Sequence, residues 1–387
     1  MLAVAENQPI CNRQNRMTER LTFSTYAARL RDFIRQNSSG ELTASNAEEQ
    51  FQELATQLFG LQREGNPAYR TFCQARKVTA ESVADWRSIP AVATAAFKEF
   101  EVTSLPEAER TRVFHSSGTT GERPSRHFHN AESLAIYEAS LLPWFETHVG
   151  ARGLRFIMLT PTAEQAPHSS LAHMFDAVGR KFAAADTFFM GRVEGDGSWT
   201  LDLERTVELL REAITVKRPV RLLGTAFSFV HLLDYLAEVG ERLHLPIGSR
   251  VLETGGYKGR SRSLPKAELH SLITQWLGVA AQNIVCEYGM SELSSQAYDR
   301  EVLSAERGVQ RRVFQFPPWA RVQVVSPETG REVGEGETGL IRVFDLANVR
   351  SVMAIQTEDL GIRRGSGFEL IGRATLAEPR GCSLMSV

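Results

Sequence analysis

From Tyr26 onward apolar side chains recur at intervals of three and four, as at Ala28, Leu30, Phe33 and Ile34 and again at Phe51, Leu54, Leu58 and Phe59. That period gathers them on one face of a helix, so residues 21–100 are expected to form a helical N-terminal region. Further along, short apolar runs at Arg112–His115, Arg155–Leu159, Val220–Leu223, Arg250–Leu252 and Asn283–Cys286 read as buried strands. Amphipathic stretches at 131–146, 203–216, 226–240 and 265–277 alternate with them. Such alternation predicts an α/β core over 101–312, with parallel strands flanked by helices and ligand sites beyond the strands' carboxyl ends. The period changes over 313–373, where RVQVVSPETGREVGEGETGLIRVFDL sets Pro, Gly and acidic turn residues between two alternating runs. A small, hairpin-rich β subdomain is expected there. Residues 1–20 read as a polar leader and 374–387 as a short tail.

Composition narrows the class of protein. With 387 residues, 42% of them hydrophobic, the chain has material for a large core. A formal net charge of −2 argues against a nucleic-acid partner. No apolar run approaches the length of a membrane span, and the first twenty residues lack a secretory core, so a soluble cytoplasmic protein is expected. The four cysteines, Cys11, Cys73, Cys286 and Cys382, follow neither a zinc-ligand spacing nor a disulfide pattern. Cys11, Cys73 and Cys286 are assigned to leader, helix and buried strand, without chemistry.

Chemistry is concentrated in a few polar strings. Ser116-Ser117-Gly118-Thr119-Thr120-Gly121 follows an expected strand and joins two glycines to four hydroxyls. Such a loop can turn backbone N–H groups and hydroxyl donors toward a polyphosphate, although no GKS or GKT makes it a Walker A loop. Tyr288-Gly289-Met290-Ser291-Glu292 offers a carboxylate on a short turn, suited to a hard cation that bridges phosphate oxygens. Thr357-Glu358-Asp359-Leu360-Gly361 offers another carboxylate, able to accept from two neighbouring hydroxyls, and Gly372-Arg373 follows. Glu253-Thr254-Gly255-Gly256-Tyr257-Lys258-Gly259-Arg260 stands at the end of a strand, where doubly wound sheets bind ligands.

In this order the strings resemble the adenylate-forming superfamily of acyl-CoA synthetases, peptide-synthetase adenylation domains and luciferase. The exact run ETGGYKGRSR, with PTAEQAPHSSLAHMF at 161–175, LLGTAFSFVHLL at 222–233 and the ending RGCSL, is similar to the LuxE-type acyl-protein synthetases, with phenylacetate–CoA ligases as more distant relatives. The resemblance covers about 85–387. It implies the large N-terminal domain of that superfamily, an α/β fold with a small β subdomain and without the full mobile C-terminal domain. It also implies ATP and Mg2+ as cofactors. Ser116, Ser117, Gly118, Thr119, Thr120 and Gly121 would hold the β- and γ-phosphates. Gly255, Gly256 and Tyr257 would approach the adenine, with Tyr288 and Gly289 as its wall. Ser291 would contact phosphate, Glu292 would bind magnesium, and Asp359 and Arg373 would face the ribose. The lysine usual after the phosphate loop is replaced here by Ser125 or Arg126, leaving Arg123 or Arg126 as partial substitutes.

With no C-terminal domain expected after Arg373, the catalytic lysine that such a domain carries needs a replacement. Lys258, a flexible ammonium between glycines, is the candidate. Cys382 in RGCSL is at the position where the family places the acyl-carrying thiol. The resemblance thus implies ATP-dependent activation of a carboxylic acid, of fatty type, as acyl-AMP, transfer to Cys382 as a thioester, and delivery to an acceptor such as an acyl reductase or carrier protein. Two other readings stay open, an acyl- or aryl-CoA ligase in which Cys382 is incidental and a non-catalytic nucleotide-binding scaffold.

Overall fold

A computed structural model describes residues 21–116, 123–150, 153–183, 185–256, 261–303 and 310–374. Three helices open it, α1 (Phe23–Ser39), α2 (Ala44–Gly65) and α3 (Pro67–Ala75). Thr22 caps α1 in a reciprocal capping box with Thr25, and Gly40 ends it at φ +75°, a conformation that favours glycine. Tyr26, Leu30, Phe33, Phe51, Leu58 and Phe59 form the buried faces of α1 and α2. The helical pattern does not continue to Phe100. Between residues 76 and 100 the chain holds only a 3-10 turn, the two-residue β1 (Val92–Ala93) and the single-turn α4 (Ala96–Glu99). Val83, Trp86, Ile89, Val92 and Phe97 are buried one by one along an irregular segment, and Pro90 disfavours helix at the residue before it.

The strand expected at Arg112–His115 also differs from expectation. This β2 pairs antiparallel with β3 (Arg126–His129) in a two-stranded hairpin apart from the main sheet. Next come α5 (Ala131–Val149), β4 (Arg155–Met158), α6 (Ser170–Phe182) and β5 (Thr187–Phe189). A small hairpin of β6 (Gly191–Val193) and β7 (Trp199–Leu201) precedes α7 (Leu203–Thr215), β8 (Val220–Thr225), α8 (Ala226–Glu238), β9 (Arg250–Thr254), α9 (Lys266–Leu277) and β10 (Ile284–Tyr288). The remaining strands are β11 (Ala297–Leu303), β12 (Gln310–Gln315), β13 (Ala320–Val325), β14 (Thr338–Asp345), β15 (Ala354–Arg364) and β16 (Gly367–Arg373).

One sheet runs through both halves in the order β13-β14-β15-β16-β12-β11-β10-β9-β8-β4-β5, with β1 alongside β15. From β5 to β10 neighbouring strands are parallel, and from β10 to β13 they are antiparallel. In the parallel half the side chains alternate. Ile157, Leu222, Val251 and Ile284 pack against α7, α8 and α9, whereas Phe156, Leu223, Leu252 and Val285 pack against α5 and α6. Near-continuous apolar strands follow from this two-sided cover. A third core joins α1 and α2 to Trp319, Val343, Phe344 and Ile355 of the antiparallel half. Among the described residues no helix is long and apolar enough to cross a membrane.

Candidate active site

The carboxyl end of β10 is where parallel pairing gives way to antiparallel pairing, and the polar strings of the sequence converge on it. Tyr288, its last residue, is buried among Phe314, Phe316 and Phe368, with ring centroids 6.1, 6.2 and 5.2 Å away. Its hydroxyl donates to Asp359 Oδ2 at 2.8 Å. The bond joins positions 71 residues apart in sequence. Burial raises the Asp359 pKa, while the Tyr288 hydrogen bond and the charge of Arg373 oppose that rise. Arg373 stands opposite Asp359 in the β15–β16 ladder, with its side chain exposed. Gly255 and Gly256 leave β9 directly beside β10, where Thr254 pairs with Glu287. Gly255 has φ +67°, and among the described residues, chain neighbours apart, no heavy atom lies within 4 Å of a Cβ built on either glycine.

Ser291 and Glu292 follow on a buried turn. Ser291 Oγ donates to Glu292 Oε2 at 2.9 Å and lies 3.3 Å from Ser125 Oγ. His127 Nδ1–H donates to the Ser291 carbonyl at 2.7 Å. Burial pulls the His127 pKa down to about 4, which keeps the ring neutral. The β2–β3 hairpin is thereby docked onto the turn after β10. At the hairpin's tip the backbone N–H of Ser125 donates to Ser116 Oγ at 2.9 Å, and that of Ser116 to the Ser125 carbonyl at 3.3 Å, closing the base of the 117–122 loop. The expected phosphate loop is therefore a hairpin connection whose base touches Ser291.

Ser117, Gly118, Thr119, Thr120 and Gly121 of that loop lie outside the described residues, as do Tyr257, Lys258 and Cys382. Arg126 is tied to Glu101 at 3.2 Å, and Ser125, at the usual lysine's other alignment, is buried on Ser291. A carboxylate beside two hydroxyls, Glu292 with Ser291 and Ser125, makes a hard oxygen donor set that fits a magnesium ion. The LLGTAFSFVHLL segment forms the end of β8 and the start of α8, with Ser228 Oγ bonded to the Leu159 carbonyl at 3.0 Å.

Several supporting residues were not singled out by their sequence pattern. Fully buried Asp345 accepts from the backbone N–H groups of Ser294, Ser295 and Ala347 at 2.8–2.9 Å and from Ser295 Oγ at 2.7 Å. Asn348 Nδ2 donates to the Glu292 carbonyl at 2.9 Å. Gln62 of α2 in turn donates to the Asn348 carbonyl at 2.6 Å and accepts from the Met353 N–H at 3.0 Å. Glu287, behind Gly289, is a buried carboxyl whose pKa burial pushes up to about 7. The signal for Asp345 and Asn348 was the polar pair inside the apolar run VFDLANV, which a β-strand with one polar end produces equally well.

Comparisons with known proteins bear on the family and the fold. The family described as acyl-protein synthetase, LuxE, matches residues 25–386. The long-chain-fatty-acid–luciferin-component ligase of Aliivibrio fischeri is 23% identical over 359 residues, covering 86% of both chains. The ligase of the same name from Vibrio harveyi is 22% identical, covering 82% of both. Among solved structures, 2-hydroxyisobutyryl-CoA ligase in complex with 2-HIB-AMP and CoA superposes with a TM-score of 0.62 at 17% identity, over 86% of this chain and 69% of the other. Its postadenylation state gives 0.61 at 16% identity. At such identity the likeness is one of fold, an α/β adenylate-forming ligase fold, and the match along nearly the whole chain supplies the family: this protein belongs to the LuxE acyl-protein synthetases.

Proposed function

We propose that this protein activates a long-chain carboxylic acid with ATP and carries the acyl group on Cys382 as a thioester. The observation that supports this best is the convergence of three distant strings, with Tyr288 bonded to Asp359 and Ser125 bonded through Ser291 to Glu292. One end of that arrangement suits a nucleoside and the other a polyphosphate. Tyr288 would face the adenine from its phenylalanine cluster, and Gly255 and Gly256 would admit the base close to the backbone, with Tyr257 beside them. Asp359, one oxygen of which is held by Tyr288, keeps lone pairs for the ribose hydroxyls, and Arg373 balances its charge. Ser116 and the 117–121 run would donate to the phosphates, with Ser291 below them. Glu292 would hold magnesium, which supplies neutralisation of phosphate charge when bound.

The acid's carboxylate oxygen then displaces pyrophosphate from the α-phosphorus, giving acyl-AMP. Lys258 would relieve the repulsion between the two anions as they approach. Cys382 follows Arg373 by nine residues, which reach roughly 30 Å when extended. Its thiolate would attack the acyl carbon and expel AMP, and the thioester keeps the acyl group activated for an acceptor protein. The names of the two ligase relatives point to a fatty acid and to a luciferin component as the downstream purpose. Pyrophosphate release measured across a panel of acids should peak with long chains, and labelled acid should become bound in a form released by neutral hydroxylamine. Cys382→Ser should keep a single turnover of pyrophosphate release and lose that label. Full labelling of Cys382→Ser sinks the carrier role, and CoA-dependent turnover in the same variant indicates a CoA ligase.

A further inference from the structure

On the opposite face of β9 and β10 from Glu287, the apolar alternation toward α9 ends in two polar side chains, Glu253 and Cys286. They are registered partners of neighbouring parallel strands, so they point the same way. His270 of α9 points back at them. Cys286 Sγ lies 3.1 Å from Glu253 Oε2 and 3.4 Å from His270 Nε2, and the last two atoms are 3.6 Å apart. All three residues are buried, at 0%, 1% and 7% exposure. We infer that Glu253, His270 and Cys286 form a binding site for a single zinc-class divalent ion, separate from the magnesium expected at Glu292.

The distances carry the inference. Metal–ligand bonds of about 2.0–2.3 Å at tetrahedral angles set neighbouring ligand atoms roughly 3.3–3.6 Å apart, close to the triangle seen here. A thiol, an imidazole and a carboxylate together select zinc or cobalt over magnesium or calcium. Without metal, the Cys286 thiol donates to Glu253, and Lys266 supplies the positive charge. Its Nζ lies 3.4 Å from Glu253 Oε2, and its side chain is partly exposed, linking the buried triad to solvent. On binding, the thiol proton leaves to solvent as the sulfur–metal bond forms, and His270 and Glu253 contribute lone pairs. Thiolate and carboxylate then cancel the ion's two charges, and Lys266 becomes a competitor to be displaced. The fourth position is left to water, because Asp299, a further carboxylate beside Cys286, is occupied by the Cys286 N–H and Arg312. Such an ion would pin β9, β10 and α9 together two residues before Gly255 and two before Tyr288.

The test uses the full-length protein, stripped with chelator and titrated with Co2+ and Zn2+. One equivalent of cobalt should give visible bands and a near-ultraviolet thiolate charge-transfer band, both abolished by an equivalent of zinc. Cys286→Ser should lose the charge-transfer band. Lys266→Met should tighten cobalt binding by about tenfold, since it removes the competing positive charge beside Glu253 while leaving every ligand in place. Should Cys286→Ser fail to fold, the wild-type band and Lys266→Met still decide. Absence of the band in folded wild-type protein, its survival in folded Cys286→Ser, or unchanged or weaker cobalt binding in Lys266→Met would overturn the site.

Discussion

Asp359 is held between opposing influences, because burial raises its proton affinity while Tyr288 and Arg373 lower it. In the proposed role the ionised form would accept the ribose hydroxyls, and the Tyr288 hydroxyl stabilises that form. Tyr288→Phe removes the bond and keeps the ring in its aromatic cluster. The Asp359 pKa then rises further, so the acid limb of kcat/KM for ATP should move to higher pH. Loss of one buried hydrogen bond to a charged group also predicts a weakening of about 1.5–3 kcal/mol, roughly 10- to 150-fold in KM for ATP at neutral pH. A pH profile of pyrophosphate release checks both, and an unmoved acid limb would separate Asp359 from nucleotide binding.

The turn after β10 is a short element fixed mostly by residues that are far away in sequence. Asp345, at the end of β14, receives four hydrogen bonds from Ser294, Ser295 and Ala347. Asp345→Ala leaves three backbone N–H groups buried without partners. At about 1–3 kcal/mol for each unsatisfied group, the variant should lose at least about 3 kcal/mol in urea unfolding, with Asp345→Asn recovering part of it. The sequence made the polar loops stand out, since glycine, hydroxyl and carboxylate residues adjacent in the chain mark them as candidate ligand contacts without reference to anything distant. Strands β4, β8, β9 and β10 and helices α5, α7, α8 and α9 were legible through their periods. The segment 76–100 was not, because separate anchors such as Trp86 and Phe97 imitate a helical spacing. Neither was the antiparallel pairing of β2 with β3 on either side of the expected phosphate loop. Glu253, His270 and Cys286 are spaced 17 and 16 residues apart, by subtraction of their numbers, and only strand register and the placement of α9 bring them together.

At the scale of the molecule, the sheet is continuous through β10, and Glu287, near the carboxyl end of that strand, is largely buried on one of its faces. Its folded pKa of about 7 lies above the ordinary 4.5. Between those values the native protein holds a proton that the unfolded chain has released. The resulting stability is present in full below about pH 4.5 and is lost as pH rises through 7, by about 3 kcal/mol in all. Comparing urea unfolding of wild type and Glu287→Gln at pH 5 and pH 8 should show a decline in wild type that the variant lacks, and parallel declines would refute the assignment. The same sheet has a peculiar history during synthesis. β16 is the last described strand to leave the ribosome, yet it is inserted in the interior between β15 and β12. Until residues 367–373 emerge, the nascent chain carries two raw rims, the unpaired margins of β15 and β12, each able to recruit a stranger's strand. Chaperone dependence should therefore fall on the interval just before β16 appears, and only its arrival can bring Asp359 within reach of Tyr288.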